Sequence, residues 1–236
     1  MGNGLLFMRK RELDNFIIES FVDIDYYDEM VDYIVVNGKR IFDFFGLHNL
    51  QEKCTIKIMD YESFREYLIK CYGKVYGYIR GTTDGKTKTI RILNLEDQRK
   101  YTTHKNATME ETLKMLLHEI VHICHATIND DYNQTIWFRE GIATNLSGQK
   151  YDVIDLTDCD FEVLKNDFLN FGSGNYDAAY TIVNYMLNNY NREELLKLIR
   201  DSDYLRRKSN EIFEEAKIFF CMNKKSCTEN AFKTRP

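Results

Sequence analysis

From Tyr27 to Phe45, apolar side chains recur at Tyr27, Met30, Val31, Ile34, Ile41, Phe42 and Phe45. That spacing keeps one side of a 3.6-residue helix apolar, so it predicts a helix here, with Gly38 as a weak point and Gly46 as its stop. Cys54 to Met59 (CTIKIM) alternates apolar and polar positions and predicts a strand. Tyr61 to Tyr72 returns to helical spacing through Phe64, Tyr67, Leu68 and Cys71. In VYGYIRGTTDGKTKTIRILNL two β-rich runs flank Thr82-Thr83-Asp84-Gly85. Asp-Gly favours a hairpin turn, and the second strand is expected from about Thr87 to Leu95. The polar stretch Glu96 to Asn106 reads as either a lid or an ordinary surface loop, and the loop is the expected one.

Glu110 to Thr127 is a strongly apolar helical pattern, and Ile136 to Leu146 is a second one. Beyond Gly141 only helical patterns follow, mainly Tyr176 to Tyr190, Glu193 to Arg200 and Asn210 to Phe220. The tail from Met222 has no period and is expected to fray. Strands therefore fill the first half and helices the second. The expected fold is α+β, with a sheet-plus-helix lobe over residues 1–128 and an all-helical lobe over 129–236. No internal repeat or low-complexity linker divides the chain.

Composition narrows the classes. With 236 residues, 44% apolar, and 15 Phe and 16 Tyr, the chain can bury a sizeable core. A formal net charge of -5 argues against a broad nucleic-acid footprint, which needs clustered Lys and Arg. No segment reaches the roughly 18 apolar residues of a membrane span. The run Arg9-Lys10-Arg11 leads into Glu12 and Asp14 rather than an apolar stretch, so it is a poor signal peptide. Six scattered cysteines contain no CxxC pair, which argues against a zinc ribbon and makes free thiols in a reducing, cytoplasmic setting the expected state. Only Cys221 and Cys227 are close enough in sequence to suggest a bridge. The single proline is Pro236, so no helix interior is broken by proline.

Residues 116–125 read LLHEIVHICH. His118 and His122 are four apart, one turn along the same helical face, so both imidazoles can reach one zinc ion. Glu119 stands beside them as a general base that takes a proton from a water activated by the metal. An HExxH match alone arises by chance. Its setting in a long apolar helix favours function, because unpaired polar groups are costly to bury. The opposing reading is a set of histidines without metal.

His125 shares the face but is a poor third ligand. It lies about 10.5 Å along the axis from His118, and three ligands in a row on a straight helix cannot surround a tetrahedral ion. The longer metzincin pattern also fails, since its Gly and His positions hold His125 and Ile128. His125 is expected to act near the site or at the helix end, where the dipole favours it. The better candidate is Glu140 in WFREGIAT, eighteen positions after His122 and set between Trp137 and Ile142. A turn through Asn129-Asp130-Asp131 can bring a second helix back, with Gly141 allowing close approach.

HEIVH followed by WFREGIA resembles the gluzincin zinc metallopeptidases, in particular the peptidase MA-like proteins. Glu140-Gly141-Ile142-Ala143 is similar to the family's second metal motif, and Tyr176-Asp177-Ala178-Ala179-Tyr180 to its tyrosine-bearing helix; the separation of His122 and Glu140 is slightly short for the family. The resemblance spans about residues 25–200. It implies a zincin-like fold with the metal site between the two lobes, one zinc ion on His118, His122 and Glu140, and Glu119 as base. It also implies that Tyr176 or Tyr180 stabilises the oxyanion. Tyr176 is favoured, because Gly172-Ser173-Gly174 places it at the mouth of a helix, against a reading in which both tyrosines only pack. The strand nearest the cleft, Thr89 to Asn94, would pair with an extended substrate. The expected activity is zinc-dependent hydrolysis of a peptide or protein substrate, with no nucleic-acid or membrane partner. The competing readings are a non-catalytic binding module on the same scaffold and a metal-dependent hydrolase of a non-peptide bond.

Overall fold

The alternation in CTIKIM does set a strand, and that strand organises the sheet around it. The computed structural model describes residues 9–170 and 174–233 and is α+β. The chain divides into two compact units, Met1–Thr127 and Ile128–Pro236.

The first unit holds strands β1 (Arg9–Glu12), β2 (Phe16–Ser20), β3 (Cys54–Met59), β4 (Gly81–Asp84) and β5 (Thr89–Leu93), and helices α1 (Tyr27–Phe45), α2 (Tyr61–Tyr72), α3 (Leu95–Tyr101) and α4 (Met109–Ile128). The five strands form one mixed sheet in the order β1-β2-β3-β5-β4. β2, β3 and β5 run parallel, while β1 and β4 flank them antiparallel. Side chains alternate across a strand, so the register sorts them by face. Ile18, Ile56 and Ile90 line up on one side, and Ile92 follows two residues on; all four are fully buried. α1 covers that side: the Phe16 and Phe42 rings meet edge to face at 5.6 Å, and the Tyr27 hydroxyl donates to the Ile18 carbonyl at 2.9 Å. α4 shares that side, reaching α1 through the His125 and Phe45 rings and β4 through Thr83 and Gly81. The opposite side carries Lys57, Arg91 and Thr82 and is covered by α2, with Phe64 and Leu68 packed on Met59 and Leu93.

Several elements follow the pattern closely. α1 stops at Gly46, which takes φ 71° and returns its N–H to the carbonyls of Asp43 and Phe42. α2 begins where Asp60 accepts from the Ser63 N–H. Others differ. β1 and β2 precede α1, where the pattern signalled no strand. The hairpin turn is Gly85–Lys88, not Thr82–Gly85, because the Asp84 carboxylate ends β4 by accepting from the N–H groups of Lys86 and Thr87. Val75 to Arg80 lies outside the strands, and β5 ends at Leu93. The expected loop after Asn94 is helix α3: Asn94 caps it by accepting from the Asp97 N–H, while Leu95 and Gln98 turn inward. β5 lies between β3 and β4, so both its edges are already paired and it cannot accept a substrate strand; among the described residues the outer strand on that side is β4.

The second unit contains α5 (Ile136–Leu146), α6 (Phe161–Asn166), α7 (Asn175–Asn189), α8 (Arg192–Arg200) and α9 (Ser202–Lys233). α6 carried no recognised pattern. α9 runs beyond Met222, where the sequence shows no period. Gly172 and Ser173, two of the three residues taken to seat Tyr176, lie outside the described residues. α5 packs on α7 at Gly141: a Cβ there would stand 2.6 Å from the Ala179 carbonyl oxygen and 2.5 Å from the Val183 Cγ2. The close approach that Gly141 permits is thus to α7. Asn145 ties the crossing by donating to the Tyr180 carbonyl at 3.1 Å. Gly141→Ala is expected to cost about 1–3 kcal/mol through overpacking against backbone, lowering Tm by roughly 3–10 °C. An unchanged thermal melt would show that the helices part freely.

Cys54, Cys71, Cys124, Cys159 and Cys221 are free thiols, and the side chain of Cys227 lies outside the described residues. Among the described residues no helix is long and apolar enough to cross a membrane.

Candidate metal centre

α4 carries HEIVH inside a stretch that is buried without a break from Met115 through His125. One turn separates His118 from His122, and their rings stand edge to face with centroids 4.6 Å apart. α5 carries Glu140, which is buried at 5% exposure beside the fully buried Trp137 and Phe138. Ligand atoms of His118, His122 and Glu140 all lie within 4.8 Å of one another. The set is two imidazole nitrogens and one carboxylate oxygen, a donor combination that suits zinc and other borderline divalent ions. This buried His-His-Glu group can hold a metal ion.

His125 is not part of that group. It is buried in the same helix with its ring 6.4 Å from that of Phe45, so it belongs to the packing between α1 and α4. Cys124, next to it, is wholly buried, and that burial pushes its thiol well above the usual range. It stays a protonated core residue at neutral pH.

Glu119 is held from β4. The Thr83 hydroxyl donates to its Oε2 at 2.5 Å, and the same hydroxyl stands 3.3 Å from the Glu119 main-chain carbonyl. Gly81, two residues earlier on the same face, leaves the space: a Cβ there would lie 2.6 Å from the Met115 Sδ and 3.2 Å from the Glu119 Oε1. The strand thus approaches the carboxylate closely enough to fix it.

Glu140 is held by its neighbour in sequence. Arg139 donates from Nε and Nη2 to the Glu140 Oε1, at 3.0 and 2.6 Å. Its Nη1 donates to the Asn133 side-chain carbonyl, and its Cζ sits 5.9 Å from the Tyr132 ring centre. Burial works against the Arg139 charge, but the Glu140 carboxylate outweighs it and holds the guanidinium pKa above its usual value.

Tyr176 and Tyr180 lie one turn apart on α7, both half-buried. Tyr176 is packed between Tyr151, at 5.8 Å, and Phe168, at 5.2 Å. The Tyr180 ring is 6.0 Å from Tyr151. Aromatic packing thus sets the place of both rings.

Thr83, Gly81 and Arg139 were not singled out from the sequence. Arg139 had a signal: two opposite charges side by side in an otherwise apolar run point to a pair. Thr83 had none, because its partner lies far along the chain.

The site and fold define an α+β chain with a buried His-His-Glu triad able to bind a metal. No protein-family model matches this chain, and no match is found among curated proteins.

Proposed function

We propose that this protein is a zinc-dependent peptidase of the gluzincin type, similar to the peptidase MA-like proteins, with a zincin-like pair of lobes. The observation that carries the reading is the buried convergence of His118, His122 and Glu140 with Glu119 next in sequence to the first ligand. His118, His122 and Glu140 would hold the ion. Zinc, when bound, supplies Lewis acidity toward water and a carbonyl oxygen. Glu119 accepts a proton from the attacking water and returns it to the leaving amine. The Thr83 hydroxyl bond on Oε2 keeps that carboxylate from rotating. Tyr176, or Tyr180 one turn on, is the group for the developing oxyanion. An extended peptide would add to the sheet along β4, the open edge beside Glu119, rather than along β5.

The test is digestion of a diverse peptide library by the zinc-loaded protein, read by mass spectrometry. Cut peptides support the reading and reveal subsite preference; intact peptides from a sample holding one zinc oppose it. Thr83 adds a finer check. Thr83→Val is expected to lower kcat about 10-fold at unchanged KM and zinc affinity, since a hydrogen bond to a charged group is worth about 1.5–3 kcal/mol. Thr83→Ser should restore the rate; failure of Ser to rescue would make Thr83 a packing residue only.

A further inference from the structure

We infer that Arg139 is a cation that balances Glu140 while no metal is bound, and that a metal ion entering the site competes with it for that charge. The inference rests on the proposed metal-binding role of Glu140 and adds a second task for the same carboxylate. The Glu140 side chain is only 7% exposed. A carboxylate buried that deeply is unstable without a counter-charge. Arg139 supplies one, and the pairing is built in an uncommon way. Neighbouring helix residues point about 100° apart, so an i,i+1 pair does not form by helix geometry alone. The guanidinium has to bend back, and the turn before α5 holds it there: the Asn133 carbonyl takes Nη1 and the Tyr132 ring faces Cζ. The donors Nε and Nη2 converge on Oε1, and neither goes to Oε2. The Arg139 donors thus engage a single oxygen of the carboxylate.

Two opposed effects follow. Arg139 stabilises the metal-free protein, in which the guanidinium helps to offset the Glu140 charge. It also weakens metal binding, because a fixed positive charge stands one carboxylate away from the incoming ion. A residue that merely oriented Glu140 would do the reverse, and its loss would weaken binding roughly 10–100-fold.

The experiment uses the full chain, in chelator and in saturating zinc. Arg139→Gln is expected to lower Tm by roughly 6–12 °C in chelator and by less than half of that in zinc. Its zinc affinity, from competition with a chromophoric chelator, should rise about 10-fold as the repulsion is removed. In chelator, Arg139→Gln combined with Glu140→Gln should recover most of the lost Tm, because the carboxylate that Arg139 balanced is then replaced by a neutral amide. Should Arg139→Gln fail to fold, Arg139→Lys carries the test: it keeps the charge without the fork, and near-wild-type Tm and zinc affinity are expected. Equal Tm losses with and without zinc, weaker zinc binding, or a double variant as unstable as the single one would overturn the inference. Wild-type protein that binds no zinc would sink the metal reading instead. The chelator arm separates the two, because it reads the Arg139–Glu140 pairing with no metal present.

Discussion

Glu119→Gln is expected to keep its zinc and to lose most peptide hydrolysis, with kcat down about 10²–10⁴-fold. The amide matches the carboxylate in size and still accepts the Thr83 hydrogen bond through its carbonyl, so the geometry around β4 and α4 should hold. What it lacks is basicity, and no other carboxylate is adjacent to His118 in the sequence of α4. Peptide-library digestion of wild type beside the variant, with zinc counted in both, decides the matter. Cleavage by wild type alone fits Glu119 as base. Equal cleavage by both would remove Glu119 from the mechanism. No cleavage by either, with zinc present, would favour a binding module or a hydrolase of another bond.

The second large effect concerns the third ligand. Glu140→Ala should lower zinc affinity by more than the roughly 10–100-fold that follows loss of an outer partner, because one of three ligands is gone. His125→Ala should leave zinc affinity near wild type and instead lower Tm, since its ring packs against Phe45. Metal analysis after dialysis, with thermal melts of each variant, reads both quantities. Zinc lost from His125→Ala and kept by Glu140→Ala would reverse the assignment. The melts matter for Glu140→Ala in particular, because it strands the Arg139 guanidinium.

How much of this was legible follows from the range of each signal. α1, β3, α2, α4 and α5 could be read because period, glycine stops and apolar faces are local. β1 was missed for a local reason as well: Arg9-Lys10-Arg11 has no apolar face, and a charged edge strand resembles a loop; β2 was missed because its apolar run, Phe16-Ile17-Ile18, is too short to carry a period. α3 was hidden because one of its inward residues is Gln98, a polar side chain whose burial depends on the Leu93 carbonyl it donates to. The position of β5 between β3 and β4 is a matter of strand order, which no local pattern encodes, so the strand expected to lie at an edge is an internal one. At the site, His118, Glu119 and His122 follow from spacing on one helix. Glu140 follows from a charge in an apolar run. Thr83 depends on a contact across thirty-six residues, and such contacts leave no trace in a single sequence.

The two margins of the sheet differ in what they allow. β1 presents Arg9, Lys10, Arg11 and Glu12, all exposed, and its arginines reach Asp23 and Asp28. Charged side chains along an outer strand discourage a second chain from docking on it. β4 has two threonines, one glycine and one aspartate in the same role. Crowding copies of this protein together should therefore leave the β1 side inert, and any self-association through main-chain pairing would occur at β4, where it would obstruct access to Glu119.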